Sequence, residues 1–108
     1  VCHCLECQKR TGSAFGAQAR FAKENVAFVS GAAAEYSRVG DEGGVATFRF
    51  CRDCGSTVWY TIDGDTNSIA VTLGAFADPA FPQPRFSVYE ERKHPWVALE
   101  AEPISHEH

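Results

Sequence analysis

The thiols of this chain stand in two clusters. Cys2, Cys4 and Cys7 have C-x-C-x-x-C spacing in "VCHCLECQKRTGSAFG", and Cys51 and Cys54 have C-x-x-C spacing in "FCRDCGS". Five is an odd count, whereas a secreted disulfide framework shows an even number of cysteines spread over loops. Short spacings suit metal ligation, because a tight turn brings neighbouring sulfurs onto one ion about 2.3 Å away. Zinc is the ion such thiolates favour. In "CRDCG" the glycine after the second cysteine permits the positive φ that such a knuckle often needs. A redox C-x-x-C would open a helix, but the residues that follow here alternate like a strand.

Two arrangements satisfy this spacing. In one, Cys4 and Cys7 join Cys51 and Cys54 in a closed Cys4 site, Cys2 is incidental, and the chain is a zinc-stabilised β-rich binding module without catalysis. In the other, Cys2, Cys4 and Cys7 form a three-thiolate site with one position open, as a site that does chemistry requires. Cys51 and Cys54 are then half of a separate structural site. His3 is expected to face away from Cys2 and Cys4, since alternate residues of an extended segment point oppositely. It reads as a surface or hydrogen-bonding residue and not as a ligand.

The elements around these clusters read as mainly β. "FGAQARF", "NVAFVSG", "AEYSRVG", "VATFRFC", "STVWYTI", "SIAVTLGAF" and "RFSVYEE" are short runs with strand character, punctuated by turn signals at "DEGG" (41–44) and "DGD" (63–65). "VATFRFC" puts Ala46, Phe48 and Phe50 on one face and leads directly into Cys51. Helix is expected only around "ECQKRTG", with Gly12 as its stop. "ADPAFPQP" is a connector, "KHPWVAL" a turn, and the polar tail "EPISHEH" is expected to fray. Trp96 reads as core packing, His94 as a loop residue, and Glu90 and Glu91 as a solvated strand edge. A single domain over residues 1–108 accommodates all of this.

Composition removes several classes of function. The net charge is -4 and no Lys/Arg block occurs, so the footprint of a nucleic-acid binder is missing. No apolar run approaches the ~20 residues of a membrane span. No charged segment followed by an apolar one marks a signal peptide, and a cytoplasmic protein is the expectation.

"CHCLECQKRTGSAFG", "FRFCRDCGSTVWY" and "HPWVAL" together resemble the glutathione-dependent formaldehyde-activating enzyme family, to which centromere protein V also belongs. The resemblance runs through nearly the whole chain. It implies a small zinc-binding β-tent fold and favours the open arrangement, with Cys2, Cys4 and Cys7 as a catalytic-type triad. It also implies that Cys51 and Cys54 share a structural zinc with a further C-x-C on an N-terminal strand. That strand does not occur in this sequence, which also holds no Met. The expectation is that the two remaining ligands precede Val1 and that the complete chain binds two zinc ions.

The implied activity is that of a carbon–sulfur lyase acting on S-hydroxymethylglutathione, the adduct of glutathione and formaldehyde. An open three-thiolate zinc suits that chemistry, because a substrate thiol bound at the fourth position loses its proton at neutral pH. Four thiolates on Zn²⁺ carry a net charge of -2, so nearby cations would ease binding. Lys9 and Arg10 are the nearest in sequence, with solvated surface as their other reading. The turn at Gly12 and Ser13 is a candidate to receive a substrate carboxylate on its N–H groups, although Gly12 also serves as a helix stop.

Overall fold

The computed structural model describes residues 1–40, 43–100 and 103–108. Residues 41–42 of the expected "DEGG" turn and residues 101–102 at the start of the tail lie outside them. Contacts divide the chain into two units, Gln18–Ala77 and Val1–Ala17 with Asp78–His108. The protein is mainly β.

The unit Gln18–Ala77 is one antiparallel sheet of β1 (Gln18–Ala22), β2 (Ala33–Val39), β3 (Val45–Cys51), β4 (Thr57–Ile62) and β5 (Asp65–Thr72), in the order β1-β5-β4-β3-β2. Strands β2 to β5 form a meander, as expected from alternating runs separated by turns, and β1 closes the edge against β5. On one face Ala46, Phe48, Tyr60 and Ala70 form the buried core, with Ile62 packed against it. Phe48 lies directly opposite Tyr60 in register, their ring centroids 4.8 Å apart. Such a cross-strand aromatic pair adds about 0.5–1.5 kcal/mol beyond its buried area.

Two expected strands end differently. "NVAFVSG" forms no strand: Phe28 is exposed and Val29 is 92% exposed. β-branched character suits a pleated strand only where a neighbour supplies its ladder. Phe28 instead packs its ring at 4.8 Å on Trp59, over whose ring the guanidinium of Arg49 also lies at 4.4 Å. "SIAVTLGAF" leaves the sheet after Thr72 and closes in a 3-10 turn over Leu73–Phe76.

The second unit holds the only α-helix among the described residues, α1 (Leu5–Thr11). Gly12 ends it in the left-handed conformation at φ 61°, a position that favours glycine over any residue with a Cβ. The extended segment before α1 is pinned on both sides. Cys2 exchanges hydrogen bonds with Gly16 at 2.8 and 2.9 Å, and the N–H of His3 donates to Val88 at 3.0 Å. The strand expected at "RFSVYEE" is limited to β6 (Phe86–Ser87), because Tyr89 turns left-handed at φ 56° and Glu90–Arg92 form a 3-10 turn.

The tail does not fray where it is described. It forms β7 (Ser105–His106), parallel to β6, and the N–H groups of Ser105 and Glu107 donate to Arg85 and Ser87 at 2.8 and 2.7 Å. Trp96 is not core packing either. The turn closed by the Val97 N–H on His94 leaves Val97 buried and Trp96, at its corner, 74% exposed. No helix among the described residues is long and apolar enough to cross a membrane.

Candidate metal centre

Cys2, Cys4 and Cys7 are gathered by a change of backbone direction. Cys2 lies in the pinned extended segment, and Cys4 is the N-cap residue of α1 with φ -60° and ψ 153°. Cys7 is in the first helical turn, where its N–H donates to Cys4 Sγ at 3.3 Å. That bond satisfies one of the amides that every helix N-terminus leaves without an intrahelical partner. The three sulfurs all lie within 4.8 Å of one another. Tetrahedral ligation with Zn–S bonds of about 2.3 Å puts sulfurs about 3.8 Å apart, so modest side-chain rotation reaches the zinc geometry. The donor set therefore fits a thiolate-bound zinc. Cys2 and Cys7 are buried while Cys4 is half-buried, making Cys4 the member nearest solvent.

A hydrogen bond links the Cys2 and Cys7 thiols. The hydrogen bond from Cys7 is the main reason that the Cys2 thiol lies below its ordinary range. The same bond, with burial, pushes Cys7 far up. A metal held by all three sulfurs would displace the protons they carry.

The two basic residues that follow diverge. Lys9 is exposed and pairs with Glu6 across one helical turn at 3.6 Å. Arg10 folds toward the cluster, and its charge draws the Cys7 thiol downward against the larger upward effects. A Cβ on Gly16 would stand 3.0 Å from Arg10 Nη2, 3.4 Å from Cys7 Cβ and 3.7 Å from Cys7 Sγ. Gly16 is thus the place where the backbone passes close enough to hold Cys2 beside Cys7. The N–H groups of Gly12 and Ser13 both donate to the carbonyl of Gln8, and Ser13 N–H also lies 3.2 Å from Thr11 Oγ1. Those amides complete the helix end.

His3 belongs to the hydrogen-bonding half of its expectation and not to the surface half. It is fully buried, and its Nε2 lies 2.9 Å from Ser87 Oγ. Glu90 is likewise no solvated edge: it accepts from Ser87 Oγ at 2.8 Å and from His106 Nδ1 at 2.6 Å. Glu91 is exposed. His94 is a loop residue as expected, and its Nε2 donates to Gln8 Oε1 at 2.8 Å. Gln8 carries no motif in the sequence. Its amide donates to the carbonyls of His3 and Arg92 at 2.8 and 3.0 Å, tying α1 to both flanking segments. No local signal marks a glutamine two of whose partners, Arg92 and His94, lie 84 and 86 residues away.

Cys51 and Cys54 occupy the turn between β3 and β4. Cys51 exchanges backbone bonds with Ser56 and Gly55 at 2.9 and 2.8 Å, and Gly55 takes φ 79° to close the knuckle. Cys54 is exposed, and its thiol lies below the ordinary range chiefly because of its hydrogen bond with Ser56 Oγ at 3.3 Å. The pair offers two sulfur donors, half of a tetrahedral set.

The family model of the glutathione-dependent formaldehyde-activating enzymes matches residues 1–92, which include both cysteine clusters. No curated protein matches the chain.

Proposed function

From the premise that this chain belongs to the glutathione-dependent formaldehyde-activating enzyme family, we propose that it is a zinc-dependent carbon–sulfur lyase acting on a thiol adduct such as S-hydroxymethylglutathione. The observation that carries this reading is the convergence of Cys2, Cys4 and Cys7 within 4.8 Å at the start of α1. In one direction the sulfur of glutathione forms a bond to the carbon of formaldehyde, and the thiol proton ends on the new hydroxyl. In the other, the C–S bond breaks, its electron pair returns to sulfur, and the hydroxyl proton is given back as the carbonyl re-forms. Zinc, when bound, lowers the pKa of a coordinated thiol so that the nucleophilic thiolate exists at neutral pH.

The chain's own residues hold and orient. Cys2, Cys4 and Cys7 would supply three sulfurs to the zinc and leave one position for a substrate thiol, with Cys4 the least buried of the three. Arg10 offsets the negative charge that accumulates as thiolates gather, and it is the cation of choice for a substrate carboxylate. Lys9, engaged with Glu6 and exposed, takes a smaller part. Gly12 and Ser13 act by ending α1 so that Arg10 is held at its last turn. Cys51 and Cys54 contribute to a second, structural zinc.

Exchange between ¹³C-formaldehyde hydrate and S-hydroxymethylglutathione, followed by NMR with the zinc-loaded protein, tests the proposal. The expected result is exchange faster than the spontaneous rate, abolished by Cys7→Ser. Cobalt in place of zinc should change its spectrum when glutathione is added. Exchange at the spontaneous rate, one metal per chain and an unmoved cobalt spectrum would instead support a binding module with one closed Cys4 site.

A further inference from the structure

Four side chains form a continuous hydrogen-bonded series from the metal-binding arm to the tail. His3 Nε2 meets Ser87 Oγ at 2.9 Å, Ser87 Oγ meets Glu90 Oε1 at 2.8 Å, and His106 Nδ1 meets the same oxygen at 2.6 Å. His3 and Ser87 are fully buried. The directions of these bonds follow from what each group can do. The hydrogen bonds of His106 and then Ser87 hold the Glu90 carboxyl below its ordinary range, so it is ionised near neutrality and only accepts. Both partners must donate to it. Ser87 spends its one proton there, leaving only lone pairs for His3, whose Nε2 must therefore carry the hydrogen. His3 Nδ1 is buried with no hydrogen-bond partner among the described residues, so no acceptor calls for a proton there, and the ring hydrogen belongs on Nε2.

His3 is also the hinge residue of the C-x-C arm. Its peptide units carry Cys2 on one side and Cys4 on the other, so any rotation of His3 moves one sulfur relative to the other. Its N–H is fixed by Val88 and its carbonyl by Gln8, and the ring adds a third anchor. The far end of the series lies outside the residues that the family model matches. β7 docks there through the Ser105 and Glu107 amides, and the Glu90 N–H donates back to Glu107 at 3.0 Å.

We infer that Ser87, Glu90 and His106 are positioning residues for the Cys2-x-Cys4 arm, holding His3 in its Nε2–H tautomer and making the tail segment part of the support of the metal centre. This rests on zinc ligation by the triad in the proposed function, and not on the reaction. The test uses zinc-loaded protein labelled with ¹⁵N-histidine, in which long-range ¹H–¹⁵N NMR reads each ring tautomer. Competition with a chelator, followed at the Cβ resonances of Cys2, Cys4 and Cys7, gives the zinc affinity of the triad.

The wild type should show His3 as the Nε2–H form. Glu90→Ala should give mixed tautomers and weaken zinc about tenfold, the lower end of what lost outer-shell partners cost a metal site. His106→Ala, a substitution at a partly exposed position that leaves the core intact, should weaken zinc by less, and His106→Asn should restore it by returning an N–H donor. An Nδ1–H tautomer in the wild type overturns the inference. So does unchanged zinc affinity in Glu90→Ala or His106→Ala. A wild type whose triad takes no zinc at all is a different failure, that of the proposed function itself, and it removes both readings.

Discussion

Cys4 does two jobs that a pair of substitutions separates. Its sulfur caps α1 by accepting the Cys7 N–H at 3.3 Å, and in the proposed site it is one of three zinc ligands. Cys4→Ser keeps an oxygen that serves as an N-cap acceptor but is a poor zinc donor, whereas Cys4→Ala removes both functions. Loss of an N-cap side chain costs about 1 kcal/mol. In a domain of this size that is a fall in Tm of roughly 4–8 °C, and a seven-residue helix has few other bonds to absorb the loss. With metal removed and thiols reduced, Cys4→Ser should therefore unfold near the wild-type temperature and Cys4→Ala several degrees lower. In chelator competition the two variants should behave alike, each losing zinc at the triad by more than the roughly 10–100-fold that an outer-shell partner commands. Equal metal-free stability of the two variants would refute the sulfur cap. Wild-type zinc affinity in Cys4→Ser would refute ligation by Cys4. A chain that unfolds entirely on either substitution, with zinc retained nowhere, is the behaviour of a closed Cys4 site and would refute the open triad.

Gly16→Ala should crowd Arg10 and Cys7 together, because the added methyl stands 3.0 Å from Arg10 Nη2 and 3.4 Å from Cys7 Cβ. The end of an arginine moves cheaply, so the loss of stability in urea should be near the lower end of the 1–3 kcal/mol that overpacking costs, with zinc competition weakened in parallel; unchanged values in both would show that the close approach is unimportant. Glu90 predicts an acid limb of the stability curve. Its folded pKa lies below the ordinary 4.5 because of His106 and Ser87, so the unfolded chain binds the proton more readily. The stabilisation is complete above about 4.5 and is lost as pH falls through the lower folded value. Urea midpoints measured from neutral to acid pH should thus fall more steeply for the wild type than for Glu90→Ala, and parallel curves would contradict the assignment.

Strand legibility depended on whether a segment carries its own pairing instructions. "VATFRFC" and "STVWYTI" alternate on both sides of a cysteine knuckle, and they became β3 and β4 with a shared buried face. "NVAFVSG" has the residue types of a strand, yet a strand exists only against a partner, and Phe28 found Trp59 instead. The tail shows the reverse case. Nothing in "SH" suggests β7, because its ladder to β6 uses backbone groups that any residue offers. Trp96 was legible as an aromatic with something to bury, but the turn at His94–Val97 gave the burial to Val97.

The same division runs through the candidate site. The amino-acid sequence by itself determined the donor types, the two clusters and the helix that starts at Cys4 and stops at Gly12, because seven residues of chain cannot separate three sulfurs far. It also determined that His3 turns away from the flanking cysteines, through the alternation of an extended segment. Only the tertiary structure decided what His3 turns toward, which of Lys9 and Arg10 faces the sulfurs, and that Gln8 and Glu90 join segments more than eighty residues apart or reach the tail. Those choices depend on directional hydrogen bonds and close approaches between distant segments, whose partners no local spacing encodes.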